Sequence, residues 1–327
     1  MTADPVDLIA RTLLYEGYLL YPYRPSAVKN RQRFNFGVLY PRAWAAPPPA
    51  GSPAGASAPL VSSEPWQLRM ECPVTGSPDT RLAVSVRCLQ LNDRQAVEPS
   101  AEAWHEASER EVSLEAFRIG DASGRSVTAF TFAAPEAAVS GPGDPEWIRG
   151  EIAIEIAAVR PGTYRLSVTV ANLTGVDAAA TDRNAALLRS LVSAHVVLRA
   201  TAGDLISLLD PPDDCRDVAA GCVNAGVWPV LVGAEGSHDC MLASPIILYD
   251  YPQIAPESAG DLFDGTEIDE ILALRILTLT DDEKREARGA DDRARQILDR
   301  TEALPPEQWA RLHGAVRGLR KVGGGAA

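Results

Sequence analysis

The sequence predicts a mainly β, α+β chain, built as an antiparallel two-sheet β-sandwich with an N-terminal helix and a C-terminal helical region. Three observations predict it. Between residues 66 and 199 apolar and polar side chains alternate in run after run, as they do when one sheet face is buried and the other is wet. Turn residues separate these runs, and the crossover helices of a parallel sheet are missing between them. Helical periodicity is confined to the two ends of the chain.

The first helix is marked by Asp4 as a cap, Pro5 at its first position and Asp7 at the positive end of its dipole. Val6, Ile9, Ala10, Leu13 and Leu14 form its apolar stripe, and Gly17 and Pro22 end it. Phe34, Phe36, Val38 and Tyr40 alternate with polar or small residues and predict a short strand. Residues 43–65 are rich in Ala, Pro, Gly and Ser and bury too little apolar surface to offset their ordering entropy. They are expected to be a mobile, dispensable loop.

In the sandwich core, residues 66–252, the inward set is predicted to include Leu68, Met70, Val84, Val86, Ile154, Leu166 and Val168. Strands are expected over Trp66–Val74 and Leu82–Cys88, with further runs at Val112–Leu114 and Val127–Phe132. Ile152–Ile156 and Tyr164–Val170 are joined by a Pro161-Gly162 hairpin turn. The stretch Asp182–Leu191 reads as a helical connection before a strand at Val192–Leu198, and residues 210–224 read as loop. Two continuous apolar runs, Val227–Val232 and Pro245–Tyr249, fit buried strands. Face-to-face packing of these strands is an Ig-like arrangement.

Residues 253–318 predict an acidic helical region. Thr266 caps a helix containing Ile268, Ile271, Leu272 and Ile276, and Thr280-Asp281-Asp282-Glu283 is a capping box. Pro305-Pro306-Glu307 starts another helix, closed near Gly314. Residues 319–327 are expected to be frayed. The N-terminal part, residues 1–42, is expected to pack on the core.

A formal charge of −13 argues against non-specific attraction to nucleic acid or anionic membrane. The sequence shows neither a basic, apolar leader nor an apolar stretch long enough to span a bilayer. Five cysteines, an odd number, do not form a disulfide framework, so a cytoplasmic location is expected. The Asn172-Leu173-Thr174 glycosylation pattern is then a chance match.

No complete catalytic motif is present. Ser237, His238 and Asp239 are the residue types of a hydrolase triad, but consecutive side chains diverge, and a polar turn is expected. Cys215, Cys222, His238 and Cys240 lack the close ligand pairs of a zinc knuckle. Asp261, Asp264, Glu267, Asp269 and Glu270 lack the ligand order and glycine of a calcium loop and read as acids at a helix N-terminus. Gly233 and Gly236 are followed by a strand where a phosphate loop needs a helix. No metal and no cofactor is therefore expected.

The strongest local signal lies at Tyr15–Arg42, which holds five of the eight tyrosines. Tyr21, Tyr23, Arg24, Lys29, Arg31 and Arg33 cluster there, and Tyr249 and Tyr251 lie far along the chain. Tyr and Arg are enriched at protein interfaces. The basic segment can equally pin itself to the acidic C-terminal helices, where 15 acids face 8 bases between Glu257 and His313. Under either reading, Tyr21, Tyr23 and Arg24 are expected to share a surface with Tyr249 and Tyr251.

Two blocks, LYEGYLLYPYRPSAVKNRQRFNFGVLYPRAW at Leu14–Trp44 and SPIILYDYPQIAPESAGDLFDGTEIDEILALRILTLTDDEK at Ser244–Lys284, carry a resemblance. They resemble a bacterial protein family encoded beside nickel-iron hydrogenase structural and maturation genes. The resemblance implies an accessory, assembly or scaffold role, with hydrogenase subunits or maturation factors as partners, and it carries no catalytic residues over. The scattered cysteines differ from the grouped thiolates that hold a nickel-iron centre or an iron–sulfur cluster. The expected function is thus a non-catalytic accessory protein. The rival readings are an enzyme with dispersed active-site residues and a ligand-binding β-sandwich, for instance one recognising carbohydrate.

Overall fold

Chain contacts divide the computed structural model into two units, Met1–Tyr18 with Gln32–Gln253, and Leu19–Arg31 with Ile254–Ala327. The structure describes residues 5–16, 23–24, 36–45, 64–94, 104–121, 124–134, 147–253, 269–290 and 292–312. Most of the 43–65 tract, the tail 319–327 and the predicted caps Asp4 and Thr266 lie outside them.

In the first unit, alternation becomes strands β1 (Gln67–Arg94), β2 (Trp104–Ser113), β3 (Phe117–Arg118), β4 (Arg125–Phe132), β5 (Ile148–Arg160) and β6 (Thr163–Asn172). Strands β7 (Val192–Leu205), β8 (Trp228–Leu231) and β9 (Cys240–Ser244) complete the set. Every pairing is antiparallel, in the order β4-β5-β6-β1-β7-β9-β8, with β2 and β3 also paired to β1. The chain is mainly β, as expected.

Hydrogen bonding joins all nine strands into one sheet, where the alternation predicts two. The reason lies in β1. Its first part pairs with β6 and its later part with β7 and β2, so one strand stitches both groups together. The Gly76–Thr80 stretch, which reads as a break, is absorbed as a register irregularity. There Thr80 Oγ1 accepts from Ser77 N at 3.0 Å and donates to the Ala202 carbonyl at 2.6 Å. Parity survives this irregularity: Leu68, Met70, Cys72 and Val74 share one buried cluster with Leu82, Val84, Val86 and Cys88. All seven predicted inward residues are buried in that cluster.

The opposite face of β7, β9 and β8 is covered by helix α1 (Pro5–Leu14). Val6 and Ala10 of its stripe pack on Val197, Val230, Val232 and Leu242, with Ile9 and Leu13 at the margin. Asp7 ties the helix to Arg87 of β1 at 2.7 Å. The short helix α2 (Arg42–Ala45) precedes β1, and α3 (Arg183–Leu187) and α4 (Arg216–Ala220) lie between strands. Asp182 caps α3 by accepting from Ala185 N, as the predicted helical connection requires. Gly162 takes φ +74° in the β5–β6 hairpin.

Three expectations are corrected. Residues 36–40 make an isolated bridge, Leu39 to Leu191, in place of a strand. The 210–224 stretch contains α4. Pro245–Tyr249 is not a strand: β9 occupies Cys240–Ser244, and pairing stops where Pro245 has no N–H to offer.

The second unit contains α5 (Asp269–Leu277), α6 (Asp281–Ala290), α7 (Asp292–Glu302) and α8 (Pro306–Leu312). The capping box forms: Glu283 Oε2 accepts from Thr280 N at 2.9 Å, and Thr280 Oγ1 accepts from Glu283 N at 3.3 Å. Leu272, Ile276, Ala287, Ala294, Ile297 and Leu298 are buried. Among the described residues no helix is long and apolar enough to cross a membrane.

Candidate interaction surface

The segment after β9 places side chains by anchoring its backbone. Asp250 Oδ1 accepts from Leu231 N at 2.7 Å, and Tyr251 N donates to Leu231 O at 2.7 Å. The other Asp250 oxygen accepts from the Ser207 hydroxyl, whose oxygen accepts from Leu209 N and Asp210 N. Tyr251 adopts φ +55°, uncommon for a bulky residue, and its hydroxyl donates to Ser237 O at 3.0 Å. Burial raises the Tyr251 hydroxyl pKa, and the Asp250 and Glu235 charges push the same way.

Between these anchors, apolar side chains point into solvent. Tyr249 is 86% exposed, Ile247 72% and Trp228 51%. Leu248, between the first two, packs on the cluster beneath α1. Trp228 alternates with Val230 and Val232 of that cluster, so it lies on the same side of the sheet. Leu209, also exposed, projects from the turn that Asp250 holds.

This edge is closed to strand addition. Leu231 has both outward backbone groups occupied, and Pro229, next outward along the strand, has no N–H. Contact here is therefore made by side chains.

Of the residues singled out in the sequence, Tyr249 and Tyr251 lie in this segment. Tyr21, Lys29, Arg31 and Arg33 lie outside the described residues. Tyr23 and Arg24 belong to the second unit, where Tyr23 is buried and Arg24 pairs with Glu283 at 2.9 Å and Glu286 at 3.8 Å.

The other candidates show no assembled chemistry. The Ser237 hydroxyl donates to Asp239 within the turn, while the backbone carbonyl of His238 accepts from Leu205 N. Among the described residues no group of three or more His, Cys, Asp or Glu is arranged to hold a metal ion. None of the five cysteines is in a disulfide, and burial raises the Cys88 thiol pKa to about 12. Asp261, Asp264 and Glu267 lie outside the described residues, and Asp269 and Glu270 open α5.

Glu71 and His195 are among the buried polar residues that escape the sequence pattern. Glu71 sits at a position that alternation assigns to solvent, yet it is buried. Its carboxylate accepts from Arg69 and from Val223 N at 2.8 Å, and its own N–H donates to Asn224 Oδ1 at 2.8 Å. Burial opposes its charge, but those hydrogen bonds and the Arg69 and Arg165 charges hold its pKa below the usual value. His195 is fully buried on the α1 side of β7, with Nδ1 2.9 Å from Ser193 O. No period-two signal separates either residue from a solvent-facing one. No protein-family model matches the chain, and no curated protein matches it.

Proposed function

We propose that the chain is a non-catalytic accessory protein that binds another protein through Trp228, Ile247 and Tyr249, and that its partner is a nickel-iron hydrogenase subunit or maturation factor. The observation that carries the binding reading is Tyr249. It is the most exposed large side chain on a segment whose neighbours, Asp250 and Tyr251, are hydrogen-bonded in place. A rigid aromatic presented this way loses little conformational entropy when a partner covers it, which is how interface hot spots gain affinity. An exposed apolar patch of this kind marks a contact surface.

The hydrogenase assignment rests on the resemblance of the Leu14–Trp44 and Ser244–Lys284 blocks, the second of which contains Tyr249. Five cysteines outside any disulfide suit a reducing cytoplasm. We read the sheet as folding at β1 into the two layers of an Ig-like sandwich. Alternate side chains of both parts of β1 meeting strands from both ends of the sheet in one cluster support this.

The test is calorimetric titration of purified hydrogenase subunits and maturation factors against the chain and its Tyr249→Ala variant. One of them should bind, and the variant should weaken that binding by about 2 kcal/mol or more, the loss expected of a hot spot. Binding by none, or equal binding by the variant, contradicts the reading.

A further inference from the structure

Besides the two-residue β3, three strands of the first unit have an outer edge on which no strand is paired among the described residues: β2, β4 and β8. Edge strands invite pairing with another chain, and proteins blunt them with charge, proline, bulges or covering segments. Strand β8 is covered by Asp250 and Tyr251 and carries Pro229. Strand β2 carries Glu106, Glu109, Arg110 and Glu111. Among the described residues, strand β4 shows neither proline nor a register break and carries a single charge. It reads Arg-Ser-Val-Thr-Ala-Phe-Thr-Phe. Its first five residues are exposed on both faces.

We propose that β4 pairs antiparallel with β4 of a second copy of this chain, about a two-fold axis perpendicular to the sheet. Three observations select a second copy. A two-fold junction is self-complementary, because each β4 offers the other the same row of N–H and C=O groups. The strand carries no acid, and Arg125 is already paired with Glu155 at 3.3 Å, so the junction brings no like charges together although the chain carries −13. A register centred on Thr128 sets Thr128 against Thr128, Val127 against Ala129 and Arg125 against Thr131. Each opposed pair then shares a face and includes no charge repulsion, as favourable cross-strand pairs require. A junction of this length buries less than the ~1,200 Å² of a stable interface, so the dimer forms at high protein concentration.

Sedimentation equilibrium of the full chain across a concentration series tests this, with hydrogen exchange on the same samples. The expected result is a monomer–dimer equilibrium that added salt strengthens by screening net repulsion. The amides of residues 125–132 should exchange more slowly as dimer accumulates. A Val127→Lys plus Ala129→Lys variant, altered at two exposed positions, should keep its melting midpoint and lose association at least tenfold. A chain that stays monomeric at every concentration and salt overturns the proposal. So does a dimer that the lysines do not weaken, or one that leaves the exchange of 125–132 unchanged. Should the variant fail to fold, the exchange measurement on the unaltered chain decides alone.

Discussion

His195 shows what burial does to an ionisable side chain. Removal from water, together with the nearby Arg87 charge, lowers its pKa from 6.5 to about 4 against the opposing pull of Ser193 O. The charged groups packed about it lie on β1 and α1, where Arg87 pairs with Asp7. The folded pKa is depressed, so the unfolded chain binds the extra proton first. This contribution to stability is present above pH 6.5 and falls as the pH drops to about 4, by about 3 kcal/mol in all. In denaturant titrations across that window, His195→Leu should flatten the pH dependence. An unchanged slope would show that His195 does not titrate as a buried group. The Glu71 pKa is also held below its usual value, so its contribution to stability likewise falls as the pH drops. Glu71→Ala removes the hydrogen bonds that the buried carboxylate accepts from Val223 N and Arg69 and should cost about 1.5–3 kcal/mol, read as a lower denaturation midpoint. Neither residue was legible in advance, because alternation reports which face a side chain takes and nothing about what covers that face.

At the scale of elements, α1 and the β8–β9 pair depend on each other. Leu242 is fully buried between the sheet and Val6 and Ala10 of the helix, so Leu242→Ala should cost about 2–5 kcal/mol. A thermal shift of only a degree or so would mean that the helix does not pack there. The helix was legible from its stripe, because a 3.6-residue period survives wherever one face is buried. The strands of β5, β6 and β7 were legible for the equivalent reason. The long β1 was not. Gly76, Ser77 and Pro78 carry turn chemistry, and only the Thr80–Ala202 hydrogen bond reveals that the strand continues through them. Pro245–Tyr249 failed differently. Its apolar run resembles a buried strand, yet Asp250 holds the segment to Leu231 and the Ile247 and Tyr249 side chains face water. The same composition serves a core strand or a contact surface, and the pairing partner decides which.

For the whole molecule, the two units use the predicted chemistry in separate ways. Arg24 pairs with the acidic α6 helix of the second unit, a partly exposed bridge worth about 0–1 kcal/mol. Trp228, Ile247 and Tyr249 belong to the first unit, and their side chains are exposed. The sequence marked Arg24 and Tyr249 by residue type alone; that one forms an ion pair and the other is exposed depends on what each element packs against. The most direct test of the account is quantitative co-purification of the tagged chain from its native host, with a Trp228→Ala, Ile247→Ser, Tyr249→Ala variant alongside. All three side chains are exposed, so the variant should retain its melting midpoint. The account predicts that a hydrogenase subunit or maturation factor accompanies the unaltered chain and is lost from the variant. Recovery of the same hydrogenase protein with both, or with neither, would contradict it.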